Sequence, residues 1–500
     1  MRKGTCNMQK ARAHRFWPVA DAYRILFVVG MLLLLLALFM IPPMLADLRV
    51  RNPDWRVFAA SALFTGFAGL MMVLVSRDAW SARVRVREGF LLTVASWLAV
   101  SVFAALPFTL IERPLSPVDA WFEAVSGLTT TGSTVMSGLD ALPPGILLWR
   151  SLTQWIGGIG IVVMALIMLP FLRIGGMQLF QTESSDTSDK LLPRARHFIG
   201  WLAAVYVLLT AACALAYRLL GMGNFDALNH ALTTISTGGF STHDASMGHF
   251  RSPAIHWAAT VFMLASSLPL VLYVRLFRER RPGVFRDQQV IGFLRITAFF
   301  VLAIVWWRIL VRHEPAAQAL TEAAFNVAAV ISTTGYALGD FTTWGTFAVT
   351  AFFALMFLGG CTGSTAGGMK VFRLQIMMLA IRAHLLRLAR PHRMVPLSWQ
   401  GRPVSQEVVI SVFAFVSALF ATVLLVAVLV AATGVDFVTA LSASVTAVTN
   451  VGPGLGQIIG PAGNFASLPD AAKLLLGSGM LLGRLEFFTV LVVLSPDFWQ

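Results

Sequence analysis

The chain has 500 residues, of which 57% are hydrophobic and only 12% are charged. Apolar stretches near or above the roughly 20 residues that cross a bilayer recur along its whole length. This composition excludes a water-soluble enzyme and indicates an all-α polytopic membrane protein. No nucleophile–base pair or paired-carboxylate set suggests catalysis, and three scattered cysteines offer neither a disulfide framework nor a metal cluster.

The net charge of +14 reflects orientation in the membrane rather than nucleic-acid binding. Reading the spans in order, 27 of the 38 Lys and Arg residues fall in alternate segments on the side of the N-terminus. Positive charge accumulates on the cytoplasmic side of membrane proteins. We therefore expect a cytoplasmic N-terminus, contact of the basic segments with anionic membrane lipids, and no nucleic-acid partner.

The predicted elements begin with two spans at about 25–43 and 57–76, which form an N-terminal extension over 1–84. A pattern then repeats four times: an entering span, a half-helix too short to cross, a polar run and a returning span. The units occupy 85–175, 176–280, 281–395 and 396–500.

Within these units the elements have similar lengths and the same order. The entering spans lie near 89–110, 197–220, 290–311 and 405–433. The half-helices lie near 118–129, 225–235, 318–332 and 436–449. The returning spans lie near 146–171, 253–277, 344–387 and 469–493. We expect every half-helix to dip in and return on the outer side.

Each half-helix is followed by a short run of small and polar residues that ends on glycine. The runs are Thr130, Thr131 and Gly132; Ser236, Thr237 and Gly238; Thr333, Thr334 and Gly335; and Asn450, Val451 and Gly452. Aligned on these glycines, the runs are 106, 97 and 117 residues apart. The alignment also makes Glu123, Asn229, Asn326 and Ala443 equivalent on the half-helices, and Glu123 is a candidate brace for the first run.

These runs have the chemistry of a filter for a monovalent cation. Non-helical backbone at membrane depth is tolerated where it is buried in protein or lines a watery cavity. Carbonyl oxygens can replace the hydration shell of an ion, and a half-helix directs its negative end toward a cation. A single run of this kind is more typical of close helix packing or a turn, but four in register favour one pore.

The third returning span is interrupted by ten residues that include five glycines. They are Gly359, Gly360, Cys361, Thr362, Gly363, Ser364, Thr365, Ala366, Gly367 and Gly368. Glycine is unfavourable inside a helix, so the segment predicts either a packing kink or a flexible loop that gates the pore. Lys370 follows it and serves either the gate or an anchor at the inner interface.

Arg484 lies in the middle of the last predicted span. A guanidinium there is costly and should face a pore or a partner charge. The simpler alternatives are an ion pair with Glu486 or snorkelling to the interface.

The polar runs resemble the four pore loops of the Trk/Ktr/HKT potassium transporters. The match extends from Phe122–Gly127 and Ser236–Asp244 to Gly175–Phe180 and the last span, and covers nearly the whole chain after residue 85. The two extra N-terminal spans resemble the TrkH/TrkG branch. Ser133, often alanine in relatives, departs from the pattern.

The resemblance implies four membrane-pore-membrane units around a pseudo-fourfold pore, in a multi-pass protein of the bacterial inner membrane. It implies potassium uptake, with Gly359–Gly368 as gate and Arg484 as a cation barrier below the filter. It also implies a homodimer and a cytoplasmic TrkA-type subunit that carries the regulatory nucleotide, docked on 178–196 and 371–403, with no cofactor in this chain. Channel and coupled symport both remain open.

The principal rival is a secondary transporter of another solute, with broken helices and a midplane site. It predicts inverted repeats, whereas the glycine spacing indicates units of the same topology.

Overall fold

A computed structural model describes residues 19–79, 86–168, 191–279, 286–392, 394–485 and 487–499. Part of the basic N-terminus, the Gly175–Phe180 motif and Glu486 lie outside this part of the chain. Among the described residues, six helices are long and apolar enough to cross a membrane, or up to eight if two bent pairs are counted as spans. The chain is thus a polytopic helical membrane protein.

The N-terminal extension consists of α1 (Val19–Phe39), α2 (Ile41–Arg49) and α3 (Trp55–Ser76). Helices α1 and α3 pack closely through Gly30 and Gly69: a Cβ on either glycine would lie 2.8 Å from the carbonyl oxygen of the other. Small residues allow such close approach between helices in a membrane.

The entering spans and half-helices match their predicted positions closely. The entering spans are α4 (Val86–Leu110), α7 (Leu191–Leu219), α11 (Gln288–Arg312) and α15 (Gln406–Ala431). The half-helices are α5 (Pro117–Leu128), α8 (Asn224–Ile235), α12 (Ala316–Ile331) and α16 (Phe437–Thr449). Polar caps define several starts: Ser116 and Asp436 accept the backbone N–H groups of Asp119 and Thr439.

Three of the four returning segments are interrupted, whereas the sequence indicated only one interruption. The first is continuous as α6 (Pro144–Met168). The others are the pairs α9 (Pro253–Ser266) and α10 (Leu270–Glu279), α13 (Thr346–Leu355) and α14 (Val371–Ala389), and α18 (Asp470–Arg484) and α19 (Phe487–Leu494). The axes turn by 93° between α9 and α10 and by 109° between α18 and α19.

The break between α9 and α10 has a local cause. Pro269 lacks a backbone N–H and cannot continue the helical hydrogen-bond pattern. The carbonyl of Ser267 and the N–H of Leu270 are freed there, and both bond to the Gly-rich segment of the third unit, to Cys361 and Gly363 respectively.

The remaining elements are short. An antiparallel pair of two-residue strands, β1 (Ser398–Trp399) and β2 (Arg402–Pro403), precedes α15. Helix α17 (Gly456–Ile459) follows the fourth polar run, and α20 (Pro496–Trp499) ends the described chain.

Candidate functional site: four loops in a ring over a Gly-rich loop

The four half-helices end in the same backbone conformation. The first loop residue is left-handed at Thr130, Thr237, Thr333 and Asn450, with φ between 53° and 56°. The residue two positions later is a glycine with positive φ in every loop: Gly132, Gly239, Gly335 and Gly452. The same order of a left-handed residue and a positive-φ glycine at four sites indicates that the loops are repeats.

These glycines bring the loops into a closed ring. A Cβ on Gly132 would strike the carbonyl oxygen of Gly238, and one on Gly239 would strike that of Thr334. In the same way, a Cβ on Gly335 would strike the carbonyl oxygen of Val451, and a Cβ on Gly452 would lie 2.7 Å from the carbonyl oxygen of Thr131. The order runs from the first loop through the second, third and fourth and back to the first.

The ring corrects the alignment of the second loop by one residue. Gly239, and not Gly238, is equivalent to Gly132, Gly335 and Gly452, because it has positive φ and lies two positions after the left-handed residue of its loop. The corrected spacings are 107, 96 and 117 residues. The sequence is ambiguous here because Gly238 and Gly239 are adjacent, and only the backbone conformation tells them apart.

The same shift changes which half-helix residues correspond. His230, and not Asn229, is equivalent to Glu123 and Asn326, since each lies seven residues before its left-handed residue. The Asn229 side-chain amide donates to the carbonyl of Phe225 within its own helix.

Each half-helix uses one buried polar side chain to hold the chain that leaves its loop. Glu123 accepts from the N–H of Val135 at 3.0 Å, and Asn326 bonds both the N–H and the carbonyl of Leu338. His230 Nε2 lies 3.0 Å from Ser241 Oγ. In the fourth unit Ser442, one position earlier, accepts from the N–H of Leu455. The structure thus shows that Glu123 braces the first loop.

Arg150 links the first two loops and was not singled out from the sequence. Its Nε lies 2.8 Å from Glu123 Oε1, and its other nitrogens donate to the Ser241 carbonyl and the Thr134 hydroxyl. Both charged side chains are at most 1% exposed. The guanidinium also lies over the ring of Phe240, 4.2 Å from its centroid, so the arginine is fully enclosed at the edge of the ring.

Ser133, the departure from the family pattern, also holds the ring together. Its hydroxyl donates to the carbonyl of Gly452 at 2.8 Å, across the junction between the first and fourth loops.

The Gly-rich segment 359–368, which we call the gate loop, lies against the ring on the side where the half-helices end. The N–H of Gly367 donates to Thr333 Oγ1 at 2.7 Å, and the Thr237 hydroxyl donates to that of Thr365 at 3.3 Å. A Cβ on Gly367 would lie 2.7 Å from the carbonyl of Thr449. The gate loop therefore contacts three of the four units at the ring.

The gate loop is anchored at both of its ends. Its two ends pair with each other as a parallel β-bridge: the Gly359 N–H donates to the Met369 carbonyl, and the Met369 N–H donates to the Phe357 carbonyl. Lys370 Nζ donates to the carbonyl of Ala366, so this lysine closes the loop on itself. Between the two ends, the Thr362 N–H donates to Gln289 Oε1.

Arg484 touches the gate loop directly. It is the last residue of α18, where the chain turns, and not the middle of a straight span. One guanidinium nitrogen donates to the carbonyl of Thr365 at 3.0 Å and another to that of Gly157 at 3.5 Å, while Nε is buried without a hydrogen-bond partner. Arg484, Gly367 and Asn450 line a common cavity of about 80 Å³. The arginine is thus a buried cation beneath the ring.

The sequence model of the TrkH family, described as cation transport protein, matches residues 56–500. The chain belongs to the TrkH family. It is similar to the Trk system potassium uptake protein TrkI of Halomonas elongata, with 45% identity over 95% of this chain and 96% of the relative. It is 38% identical to the Trk system potassium uptake protein TrkH of Escherichia coli K12, over 95% and 98% of the two chains.

A solved structure shows the same overall fold. The crystal structure of the potassium transporter TrkH from Vibrio parahaemolyticus superposes with a TM-score of 0.89 at 35% identity, covering 97% of this chain and all of that one. The fold predicted from the sequence is therefore confirmed at the level of a helical, multi-span TrkH-family protein.

Two features of this TrkH-family chain had signals that were available in its sequence. Arg150 is a charge within a returning span, which by itself marks a buried partner or a functional position. Pro269 marks the break that receives the gate loop.

Proposed function

We propose that this chain carries potassium into the cell through the ring of four loops. The observation that carries the proposal is the cyclic contact of the four loops, in which four equivalent glycines each abut the next loop's carbonyl. The names of its relatives as potassium uptake proteins support the choice of ion.

The ion would bind to backbone oxygens of the loops, with the half-helix C-termini adding negative potential at the ring. Carbonyl oxygens replace water around a monovalent cation without a full charge that would trap it. Glycine is required at the four positive-φ positions because a side chain there would strike the neighbouring carbonyl. The proposed ion-binding residues are Thr130–Gly132, Thr333–Gly335 and Asn450–Gly452, as the sequence predicts. In the second loop they shift by one residue to 237–239, so that Ser236 lies just before them.

We infer that the gate loop and Arg484 control the flow. A buried guanidinium below the ring repels cations, and its bond to the Thr365 carbonyl couples its position to the gate loop. Movement of the gate loop would carry the barrier away from the path of the ion.

The gate is tested with Gly367→Ala and Gly368→Ala. The first places a Cβ 2.7 Å from the Thr449 carbonyl, and the second places a side chain at a φ of 66°. We expect both to change open probability or uptake rate in liposomes. Gly434→Ala is a matched control, since its φ is 93° but nothing lies within 4 Å of the added Cβ. Unchanged gating in both gate variants would rule out this role for the loop.

We also propose the cellular setting. The N-terminus would be cytoplasmic and the half-helices would start on the outer face of a bacterial inner membrane. A homodimer would bind a TrkA-type nucleotide-binding subunit through basic segments that include α14 and the β1–β2 hairpin. The partner is tested by nucleotide-dependent flux of the purified complex, which charge reversal at Arg382 and Arg387 should abolish while leaving basal flux.

The decisive experiment is flux from purified protein in liposomes at a set voltage, comparing potassium, rubidium, sodium and lithium. Voltage alone supplies about 2.3 kcal/mol per charge per 100 mV. We expect saturable potassium and rubidium flux that exceeds sodium and lithium flux. Flux that requires a second solute and shows no preference among these ions would instead support the secondary transporter.

A further inference from the structure

Three side chains with metal-binding chemistry meet near the N-terminal ends of the half-helices, on the face of the ring opposite the gate loop. They are Asp140, His243 and His249, whose ligand atoms all lie within 4.8 Å of one another. Asp140 belongs to the segment that follows the first loop, whereas both histidines follow the second loop. The cluster therefore joins two units of the repeat, and the Asp244 N–H, which donates to Asp140 Oδ2 at 3.3 Å, links the same two segments.

The geometry within the cluster is already compact. His243 Nδ1 contacts Asp140 Oδ1 directly. The imidazole of His249 stacks on that of His243, with ring centroids 3.5 Å apart and planes within 2°. Asp140 and His249 are exposed and His243 is partly buried. Because a metal lies in the plane of each ligand imidazole, binding would require the exposed His249 ring to turn out of its stack on His243. Two imidazole nitrogens and one carboxylate oxygen form a ligand set typical of zinc, with the fourth position open to water.

A second carboxylate lies behind the central histidine. His243 Nε2 faces Asp226 Oδ1 at 3.5 Å, and the Thr242 hydroxyl holds that carboxylate oxygen at 2.8 Å. A carboxylate that accepts from the far nitrogen of a ligand histidine fixes its tautomer and raises its basicity. Metal binding would place the His243 proton on Nε2, facing Asp226, and would replace the direct contact between Nδ1 and Asp140 by a cation that both atoms share.

We propose that Asp140, His243 and His249 bind a divalent cation of the zinc class, with Asp226 as the supporting carboxylate. The proposal is independent of the ion that the protein transports. A second consequence rests on the proposed function: a bound ion would clamp the segments that follow the first and second loops and slow potassium flux.

The mechanical link from this site to the ring is short. The N–H of His243 donates to Ser241 Oγ at 3.1 Å, and the Ser241 carbonyl accepts from Arg150. Ser241 Oγ also faces His230, the brace of the second loop. A cation that fixes His243 therefore restrains the chain that holds the first two loops together.

Binding is tested by titration calorimetry of Zn²⁺ into the purified, tag-free full chain. We expect one site per chain in the wild type, and a loss of affinity of at least about tenfold for His249→Ala and for Asp140→Asn. Asp226→Asn keeps all three ligands but should weaken binding by about ten- to a hundredfold, as outer-shell partners typically do. Ca²⁺ should not compete, because it prefers a larger set of oxygen ligands.

The matched control is His313→Asn. His313 is an exposed histidine with a φ of 54° at the end of α11, a conformation that asparagine tolerates, and it belongs to no such cluster within the described ranges. Its replacement should leave the zinc affinity unchanged. Equal zinc affinity in the wild type, His249→Ala and Asp140→Asn, or equal displacement by Ca²⁺, would overturn the proposed site.

Rubidium flux with and without Zn²⁺ distinguishes zinc binding at the cluster from an effect of the bound zinc on transport. Zinc inhibition in the wild type that is lost in His249→Ala supports the clamp. Zinc binding without inhibition would overturn the clamp and leave the site intact. Failure of flux in zinc-free wild type would instead contradict the proposed function, which the calorimetry does not test.

Discussion

Replacement of the glycine in the second loop tests both the ring and the corrected alignment. A Cβ on Gly239 would lie closer to the carbonyl oxygen of Thr334 than any real Cβ approaches, far below 3.0 Å. Its φ of 79° adds a backbone penalty of about 1–2 kcal/mol for a residue with a side chain. Overpacking in a close-packed site typically adds roughly 1–3 kcal/mol. We therefore expect Gly239→Ala to cost about 2–5 kcal/mol at the ring.

Two matched variants separate the contributions to this cost. Gly138→Ala has a similar φ of 71° but nothing within 4 Å of the added Cβ, so it should cost only about 1–2 kcal/mol and leave transport intact. In Gly238→Ala the Cβ meets the side chain of Gln154, whose amide end can move more easily than backbone. It should therefore be milder than Gly239→Ala.

The assay is rubidium flux in liposomes together with the sodium-to-potassium permeability ratio at a set voltage. Since each 1.4 kcal/mol corresponds to a factor of ten, Gly239→Ala should reduce flux about tenfold or more and raise the relative sodium permeability. Gly452→Ala should be the mildest ring variant, because its Cβ would lie 2.7 Å from the Thr131 carbonyl, the longest of the four distances. The reasoning is refuted if Gly238→Ala is more damaging than Gly239→Ala, or if Gly239→Ala behaves as wild type.

Three further outcomes are expected. Arg484→Ala should raise cation leak through the purified protein because the buried charge that bonds the Thr365 carbonyl is lost, whereas Arg484→Lys should leak less; lower flux with intact protein would contradict this. Glu123→Gln should destabilise the fold by about 3–5 kcal/mol, since it leaves Arg150 as an unpaired buried charge; thermal unfolding that matches wild type would exclude a charged pair. Hydrogen bonding to carboxylates raises the pKa of His243 above its usual 6.5 despite partial burial. The stabilising contribution of His243 is therefore complete below pH 6.5 and is lost as the pH rises through the raised pKa. In zinc-free protein, the difference in Tm between wild type and His243→Gln should therefore shrink as the pH rises. A difference in Tm that stays constant with pH would refute this assignment.

The helices of the repeat were predictable because their causes are local. The half-helix at 436–449 was placed within one residue, since Asp436 caps it and the left-handed Asn450 ends it. The entering spans follow equally from runs of apolar residues that must cross a bilayer. The boundaries between units at 175, 280 and 395 remain predictions.

The interruptions of the returning segments were only partly predictable. Five glycines make the gate loop recognisable in the sequence, but the turn after Arg484 has no comparable signal there. At that turn the Arg484 guanidinium bonds the carbonyls of Thr365 and Gly157, which lie more than a hundred residues away along the chain and which local sequence does not indicate.

By itself the sequence determined the class of protein, the fourfold repeat and the location of the polar runs, because hydropathy and glycine spacing act over short stretches of chain. Only the tertiary structure decided that Gly239 is the ring glycine, that His230 is the brace and that Arg150 joins two loops. Each of these depends on backbone conformation or on a contact between units. The physical reason is that a carbonyl of one loop limits the space for a side chain in another, and this constraint exists only once the four units have closed on each other.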